Sequence, residues 1–186
     1  MTSPPTVVLP IRDFDGMSRL RSVLSAGDRL YLSRLLCERA VAAVSNTDLD
    51  LVVTTSSSEV RQWAKSQSID VLSDKGTDLS EAVSGAIQSL GETPWLVVLP
   101  DLPLISGAAL EMVAVAAAIR TVLVPSQDGG TNVIASRGEF PFHYGPSSFH
   151  RHLAARPDAT VMSCRELSID IDSPAHLATF SNLSSA

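Results

Sequence analysis

The feature that most constrains the fold of this chain is a regular alternation of short β-branched apolar runs with stretches whose apolar residues recur at helical spacing. WLVVL, at 95–99, is the most apolar run and suits the middle of a parallel sheet. The predicted strands are Thr6–Ile11, Leu49–Thr54, Ile69–Leu72, Trp95–Leu99, Thr121–Val124 and Glu166–Ile171. The predicted helices are Arg29–Val44, Ser58–Gln67, Asp78–Leu90, Ser106–Ile119 and a C-terminal helix that Ser173 caps and Pro174 begins. This alternation predicts an α/β fold with helices on both faces of a mostly parallel sheet.

Composition narrows the class of protein. With 186 residues, 45% hydrophobic and 18% charged, we expect one ordered domain spanning 1–186. The net charge of −6 argues against binding to nucleic acid or to an anionic membrane surface. Two cysteines are too few for a disulfide framework, the first five residues lack a signal-peptide pattern, and no apolar run is long enough to span a membrane. We therefore expect a cytoplasmic protein.

Carboxylates follow two of the predicted strands. Asp101 comes directly after WLVVLP, at a strand end where α/β sheets bind ligands. It is either a magnesium ligand or an ordinary turn residue before Pro103. Asp170 and Asp172 are two residues apart, so a strand would direct both carboxylates to one side, where a cation would relieve their repulsion. The alternative is an exposed strand end followed by a helix cap.

Two glycine-containing turns offer polar groups to a ligand. The segment 129–132 (GGTN) brings backbone amides and a hydroxyl, but composition alone favours an ordinary hairpin turn there. The segment 145–148 (GPSS) could open a helix ending near Ala155 and bind an anion there, or be a simple cap. His143, His150 and His152 have no recognisable metal-ligand spacing, which favours surface or supporting roles.

Taken in order, several short motifs resemble one known family, and the resemblance covers nearly the whole chain. They are LPIR at 9–12, SRL at 18–20, DxGxDLSxA at 74–82, LPDLPL at 99–104, DGGTN at 128–132, YGxSSFxxH at 144–152 and DIDSP at 170–174. The family is the 2-phospho-L-lactate guanylyltransferases of coenzyme F420 biosynthesis, including members that use phosphoenolpyruvate, and it is related to the molybdenum-cofactor guanylyltransferases. The resemblance implies a Rossmann-like nucleotidyltransferase fold, a GT-A-like three-layer sandwich.

The resemblance also implies an activity: transfer of GMP from GTP to 2-phospho-L-lactate, phosphoenolpyruvate or 3-phosphoglycerate, with release of pyrophosphate. The implied roles are metal binding and catalysis with Mg²⁺ for Asp101, Asp170 and Asp172, acid binding for Thr131, Gly145 and Ser148, and nucleotide binding for Arg12, Arg19, Asp74 and Ser80. An attacking phosphate monoester needs no general base, because its second pKa of about 6 leaves it largely ionised at neutral pH.

Three residues depart from the family pattern. Arg12 and Met17 stand where the family usually has lysines, and Ser80 stands where it usually has asparagine. The departures leave two alternatives open: a degenerate member that binds nucleotide or a partner without catalysis, and a related nucleotidyltransferase with another acceptor. An apolar, alanine-rich stretch such as Met112–Ile119 could contribute to a homodimer.

Overall fold

The computed structural model describes residues 4–184, with the side chains at 179 and 181–184 left out of the description. Its centre is a sheet that has seven strands within this range: β1 Thr6–Pro10, β2 Asp50–Thr55, β3 Asp70–Ser73, β4 Trp95–Val98, β5 Val122–Pro125, β6 Thr131–Ser136 and β7 Thr160–Val161. The strands lie in the order β3-β2-β1-β4-β6-β5-β7. All pairings are parallel except those of β6, which runs antiparallel to β4 and β5.

Helices cover both faces of this sheet, because successive residues of the central strands are apolar and point to opposite faces. The helices are α1 Ala26–Ser45, α2 Ser58–Ser66, α3 Leu79–Leu90, α4 Gly107–Ala117, α5 Ser148–Ala155, α6 Arg165–Ser168 and α7 Pro174–Ser184, with a short 3₁₀ helix at Ser18–Ser22. Val7 and Leu9 of β1 pack into one core cluster with helices α1, α2 and α4, whereas Val8 packs into a second cluster with α3. The predicted three-layer α/β architecture is confirmed.

Side-chain caps start the helices close to where the sequence predicts. The Asp78 carboxylate accepts a hydrogen bond from the amide of Glu81 at 3.0 Å, which begins α3. The return bond of the predicted capping box goes to Thr77 instead of Asp78, since Glu81 accepts from the Thr77 amide and hydroxyl. Ser173 caps α7 through the amide of His176, with Pro174 in the first turn.

The predicted last strand, Glu166–Ile171, is wrong. Its first half forms the helical turn α6, and the extended segment after it pairs with no strand of the described sheet. The edge beside β5 is taken by β7, which the sequence analysis missed because Thr160–Val161 is only two residues long. Ile169 and Ile171 are nevertheless buried in the extended segment, and so is Asp170 between them.

Several wider expectations meet the structure only in part. No helix among residues 4–184 combines the length and apolarity that a membrane crossing requires. Residues 1–3 and 185–186 lie outside the described residues. They are the two ends of the predicted domain, and residues 1–3 are also part of the segment in which we expect no signal-peptide pattern. In the apolar stretch that could contribute to a homodimer, the side chains of Met112 and Val115 on α4 are exposed at helical spacing. The side chain of Ile119, which follows the end of α4, is exposed as well.

Candidate active site

Two clefts open at the carboxyl ends of the parallel strands, and they share one wall. The first cleft, of about 350 Å³, lies over β1, β2 and β4. The second cleft, of about 430 Å³, lies over β4 and β6. Leu79, Leu99 and Asp101 line both of them. A ligand in each cleft would therefore meet the other at the Asp101 carboxylate, at the edge where open α/β sheets bind ligands.

Three carboxylates converge at this shared wall, although the segment carrying two of them is not a strand. The backbone carbonyl of Asp101 accepts a hydrogen bond from the amide of Ile171 at 3.0 Å, which holds the two acidic segments together. Asp170 and Asp172 then line the second cleft on either side of the buried Ile171. The i, i+2 spacing thus puts both carboxylates on one side, as the sequence predicts. Asp170 is more buried than expected, with only 7% of its surface exposed.

Two of the three carboxylates, Asp101 and Asp170, have incomplete hydrogen bonding within the part of the chain that the structure describes. One oxygen of Asp101 and one of Asp170 are buried without a hydrogen-bond partner among the described residues. Burial and, next, the charge of Asp170 raise the pKa of Asp101 to about 7. Burial also raises the pKa of Asp170, against the opposing effect of His176. Such a cluster favours a bound cation, because a cation offsets both desolvation and mutual repulsion.

Two basic side chains approach the same cluster from the surface. Arg19 donates from Nη1 to Asp172 Oδ2, so the SRL motif reaches the second cleft. His176 Nδ1 lies 2.9 Å from Asp172 Oδ1 and 3.6 Å from Asp170 Oδ2. The sequence analysis missed His176, and its position four residues after Asp172 at the start of a helix was the signal that could have found it. Asp170, Asp172 and His176 together offer ligand atoms within 4.8 Å of one another.

The far wall of the second cleft is a buried hydroxyl network. Thr131 and Ser148 are each 2% exposed, and Ser148 Oγ donates to Thr131 Oγ1 at 3.3 Å. Thr131 Oγ1 also lies 2.9 Å from Nδ1 of His152. Gly145 has φ +114°, a conformation that favours glycine, and brings the turn before α5 against the cleft. The structure thus brings Thr131, Gly145 and Ser148 together at one cleft.

The first cleft has fewer internal contacts. Arg12 lines it and is exposed, and Asp74 shapes its loop by accepting from the Gly76 amide at 2.7 Å. Gly76 has to be glycine here, because a Cβ atom would lie 2.5 Å from the amide nitrogen of Ala82 in α3. Thr54, which sequence reasoning also missed, lines the cleft with a buried hydroxyl that has no hydrogen-bond partner among the described residues.

The structure separates two of the predicted nucleotide contacts from the first cleft. Arg19 lines the second cleft, beside Asp172. Ser80 lines neither, because its hydroxyl accepts a hydrogen bond from the amide of Tyr144 at 2.9 Å and so ties α3 to the turn before α5. Arg12 and Asp74 remain together in the first cleft.

Comparisons with known proteins agree with this architecture. The sequence model of a family described as "Guanylyl transferase CofC like" matches residues 5–180. The 2-phospho-L-lactate guanylyltransferase of Methanocorpusculum labreanum is 29% identical over 177 residues, covering 91% of this chain and 79% of that protein. The phosphoenolpyruvate guanylyltransferase of Roseiflexus castenholzii is 28% identical over 153 residues, covering 79% of this chain and 71% of that protein.

A solved structure gives the same result for the fold. The 4-diphosphocytidyl-2C-methyl-D-erythritol synthase of Anaerococcus prevotii superposes with a TM-score of 0.65 at 9% identity, covering 99% of this chain and 97% of that one. The predicted Rossmann-like nucleotidyltransferase fold is confirmed.

Proposed function

Because the chain belongs to the CofC-like guanylyl transferase family and is a nucleotidyltransferase, we propose that it transfers GMP from GTP to a small phosphorylated three-carbon acid and releases pyrophosphate. The candidate acids are 2-phospho-L-lactate, phosphoenolpyruvate and 3-phosphoglycerate. A cytoplasmic location, a role in coenzyme F420 biosynthesis and a homodimer remain predictions.

The observation that carries the proposal is the shared wall of the two clefts. A nucleotide in the first cleft and an acid in the second would meet at Asp101, with Asp170 and Asp172 beside the contact. Transfer between two bound substrates needs this geometry, because holding both reactants in place removes much of the entropic barrier of a bimolecular step.

The carboxylate cluster fits Mg²⁺. Oxygen atoms are the ligands that Mg²⁺ prefers, and Asp101 and Asp170 each hold a buried oxygen without a hydrogen-bond partner among the described residues. Asp101, Asp170 and Asp172 would hold the metal. When bound, Mg²⁺ would neutralise phosphate charge and help to align an in-line displacement.

The residues of the second cleft would hold the acid. Thr131 and Ser148 offer hydroxyls, and Gly145 keeps its turn close to the cleft without a side chain. An oxygen of the acid's phosphate would attack the α-phosphorus of GTP, and the bond from that phosphorus to the β-phosphate oxygen would break as pyrophosphate leaves. The attacking phosphate is already ionised at neutral pH, so no side chain has to remove a proton.

Positive charge for the nucleotide phosphates would come from arginines. Arg12 lines the first cleft, and Arg19 reaches the shared carboxylates from the other side. A planar guanidinium binds phosphate with two parallel donors, which a lysine ammonium does not. In the ligand-free protein Arg19 is paired with Asp172, so phosphate binding would exchange one anionic partner for another.

A pyrophosphate-release assay tests the proposal. We expect release from GTP with Mg²⁺ and one of the three acids, and much slower release with ATP or without acid. Binding of GTP with no pyrophosphate release for any of the acids would overturn the proposed reaction and favour another acceptor or a protein that only binds nucleotide.

A further inference from the structure

His152 lies directly behind the second cleft and does not line it. The ring is fully buried, and Phe140 and Tyr144 pack against it with ring centroids 5.6 and 5.1 Å away. Helix α5 carries Ser148 and His152 four residues apart, which puts both on the same face toward Thr131. A ring so enclosed cannot touch a ligand, so any role in recognition has to act through Thr131 and Ser148.

One hydrogen bond fixes which ring nitrogen of His152 carries the proton. The backbone amide of His143 donates to Nε2 at 2.8 Å, and because an amide is always a donor, Nε2 has to be the unprotonated nitrogen. Burial, with the charges of His143 and Arg151, lowers the pKa of His152 to about 4. The ring is thus neutral near pH 7, with its hydrogen on Nδ1.

The hydrogen on Nδ1 determines what the Thr131 hydroxyl can do. His152 Nδ1 donates to Thr131 Oγ1 at 2.9 Å, and Ser148 Oγ donates to the same oxygen at 3.3 Å. A hydroxyl has two acceptor sites and one hydrogen. With both acceptor sites occupied, the Thr131 hydrogen is left to point to an acceptor in the second cleft, which Thr131 lines.

We propose that His152 is a positioning residue that holds Thr131 as a hydrogen-bond donor into the second cleft, so that this wall selects an anionic oxygen of the acid. The proposal rests on the proposed function for the identity of the ligand. It goes further in giving the direction of each hydrogen bond and in assigning a role to a residue that contacts no substrate.

Replacement of His152 should have different effects on stability and substrate binding if its role is structural than if it is a positioning residue. If the ring only fills the core, its replacement lowers stability and affects both substrates alike. If the ring orients Thr131, its replacement weakens the binding of the acid alone, and this effect disappears in a variant that lacks the Thr131 hydroxyl. A double-mutant cycle measures this dependence directly.

The cycle compares wild type, His152→Leu, Thr131→Val and the double variant, with the KM of each substrate measured by pyrophosphate release. We expect His152→Leu to raise the KM of the acid by about tenfold, the scale of one lost hydrogen bond to a charged group, with the KM of GTP unchanged. Adding His152→Leu to Thr131→Val should change the acid KM by less than about twofold. His152→Asn, whose amide nitrogen can replace Nδ1, should recover part of the loss.

Nitrogen NMR of the wild-type protein tests the same arrangement without turnover or mutation. We expect the His152 spectrum at pH 7 to show a protonated Nδ1 and an unprotonated Nε2. The opposite tautomer, a charged ring, additive effects in the cycle or an equal rise in both KM values would each overturn the proposal. A wild-type protein that turns over none of the acids would instead defeat the proposed function, so the two failures are distinguishable.

Discussion

The two clefts differ in how much of their hydrogen bonding the protein completes by itself. In the second cleft Thr131 and Ser148 are buried, bonded to each other and supported by His152. In the first cleft Arg12 is exposed and the buried Thr54 hydroxyl has no partner among the described residues. Apart from its carboxylates, the second cleft is thus organised before a ligand arrives, whereas the first cleft leaves polar groups for the ligand to satisfy.

This difference bears on specificity. A preorganised wall loses little entropy on binding and rejects ligands that do not match its donors. An open wall with long side chains adapts more easily, and each of its contacts contributes less. We therefore expect substitutions in the second cleft to act sharply on one substrate, and substitutions around the first cleft to have smaller effects. Both clefts depend on the carboxylates at their shared wall.

The largest effect on turnover is expected at the carboxylates beside the wall that the two clefts share. Asp170→Asn or Asp172→Asn should lower turnover by at least about a thousandfold, because a metal ion supplies several kcal/mol of charge stabilisation in phosphoryl transfer. The fold should remain intact, since the change relieves repulsion between carboxylates. Steady-state rates and thermal unfolding of the variants measure the two outcomes.

Asp158→Asn is the matched control for this prediction, because Asp158 is an exposed carboxylate paired with Arg156 and lines neither cleft. It should leave turnover unchanged. Wild-type turnover that persists in excess EDTA would contradict a metal-dependent reaction.

The next effect is expected in the second cleft. Thr131→Val should weaken acid binding by about 10- to 100-fold and spare GTP, since a hydrogen bond to a charged group contributes about 1.5–3 kcal/mol. Calorimetric titration with each substrate measures it. Thr121→Val is the control, because Thr121 shares a buried hydroxyl pair with Ser136 away from both clefts. A loss of GTP affinity without a loss of acid affinity would mean that the second cleft holds the nucleotide.

A smaller effect is expected at Arg19, which lines the second cleft and would reach the nucleotide phosphates at the shared carboxylates. Arg19→Ala should raise the GTP dissociation constant about tenfold, the scale of one charge-assisted hydrogen bond, whereas Arg21→Ala, which changes an arginine bonded to its own 3₁₀ helix, should not. Met17→Lys should tighten GTP binding by adding a cation next to Arg19. Calorimetry with GTP and Mg²⁺ measures all three. Equal effects of the Arg19 and Arg21 variants would show that only overall charge matters.

The smallest effect concerns stability and pH. The folded protein holds a proton on Asp101 up to about pH 7, whereas the unfolded chain releases it near pH 4. The contribution of Asp101 to the free energy of unfolding of the metal-free protein should therefore fall as pH rises from about 4 to 7, whereas that of His152, whose pKa is lowered to about 4, should rise over much of the same range. Asp101→Asn should remove the falling contribution, so the free energy of unfolding of the variant should rise more steeply with pH than that of wild type, and Mg²⁺ should stabilise wild type more at pH 7.5 than at pH 5. Urea unfolding with EDTA or Mg²⁺ checks both, and an unchanged slope in the variant would assign the effect to another group.

Sequence periodicity was sufficient for the central architecture because the buried strands and capped helices carry strong local signals. It failed at residues 166–171, where apolar alternation is the same for a strand and for an extended segment that packs without a ladder. The motifs located the carboxylates and the Thr131 and Ser148 hydroxyls, because each of these residues belongs to a short motif of the resembled family. In the fold Asp101 follows β4, Thr131 begins β6 and Ser148 opens α5.

Other parts of the site could not be read from sequence spacing. The contact of His152 with Thr131 spans 21 residues and depends on how α5 packs against β6. The Thr54 hydroxyl looks like any threonine of a β-branched strand until its missing partner is seen. The pairing of Arg19 with Asp172, 153 residues apart, likewise needs the tertiary structure.

Phosphorus NMR of the complete reaction tests the central claim most directly, because it follows the bond that is made. With GTP, Mg²⁺ and the preferred acid, we predict a new pair of coupled phosphorus signals from the anhydride joining GMP to the acid's phosphate, and an equal amount of pyrophosphate. Hydrolysis of GTP to GMP and pyrophosphate with the acid unchanged, or no change in GTP for any of the three acids, would contradict it.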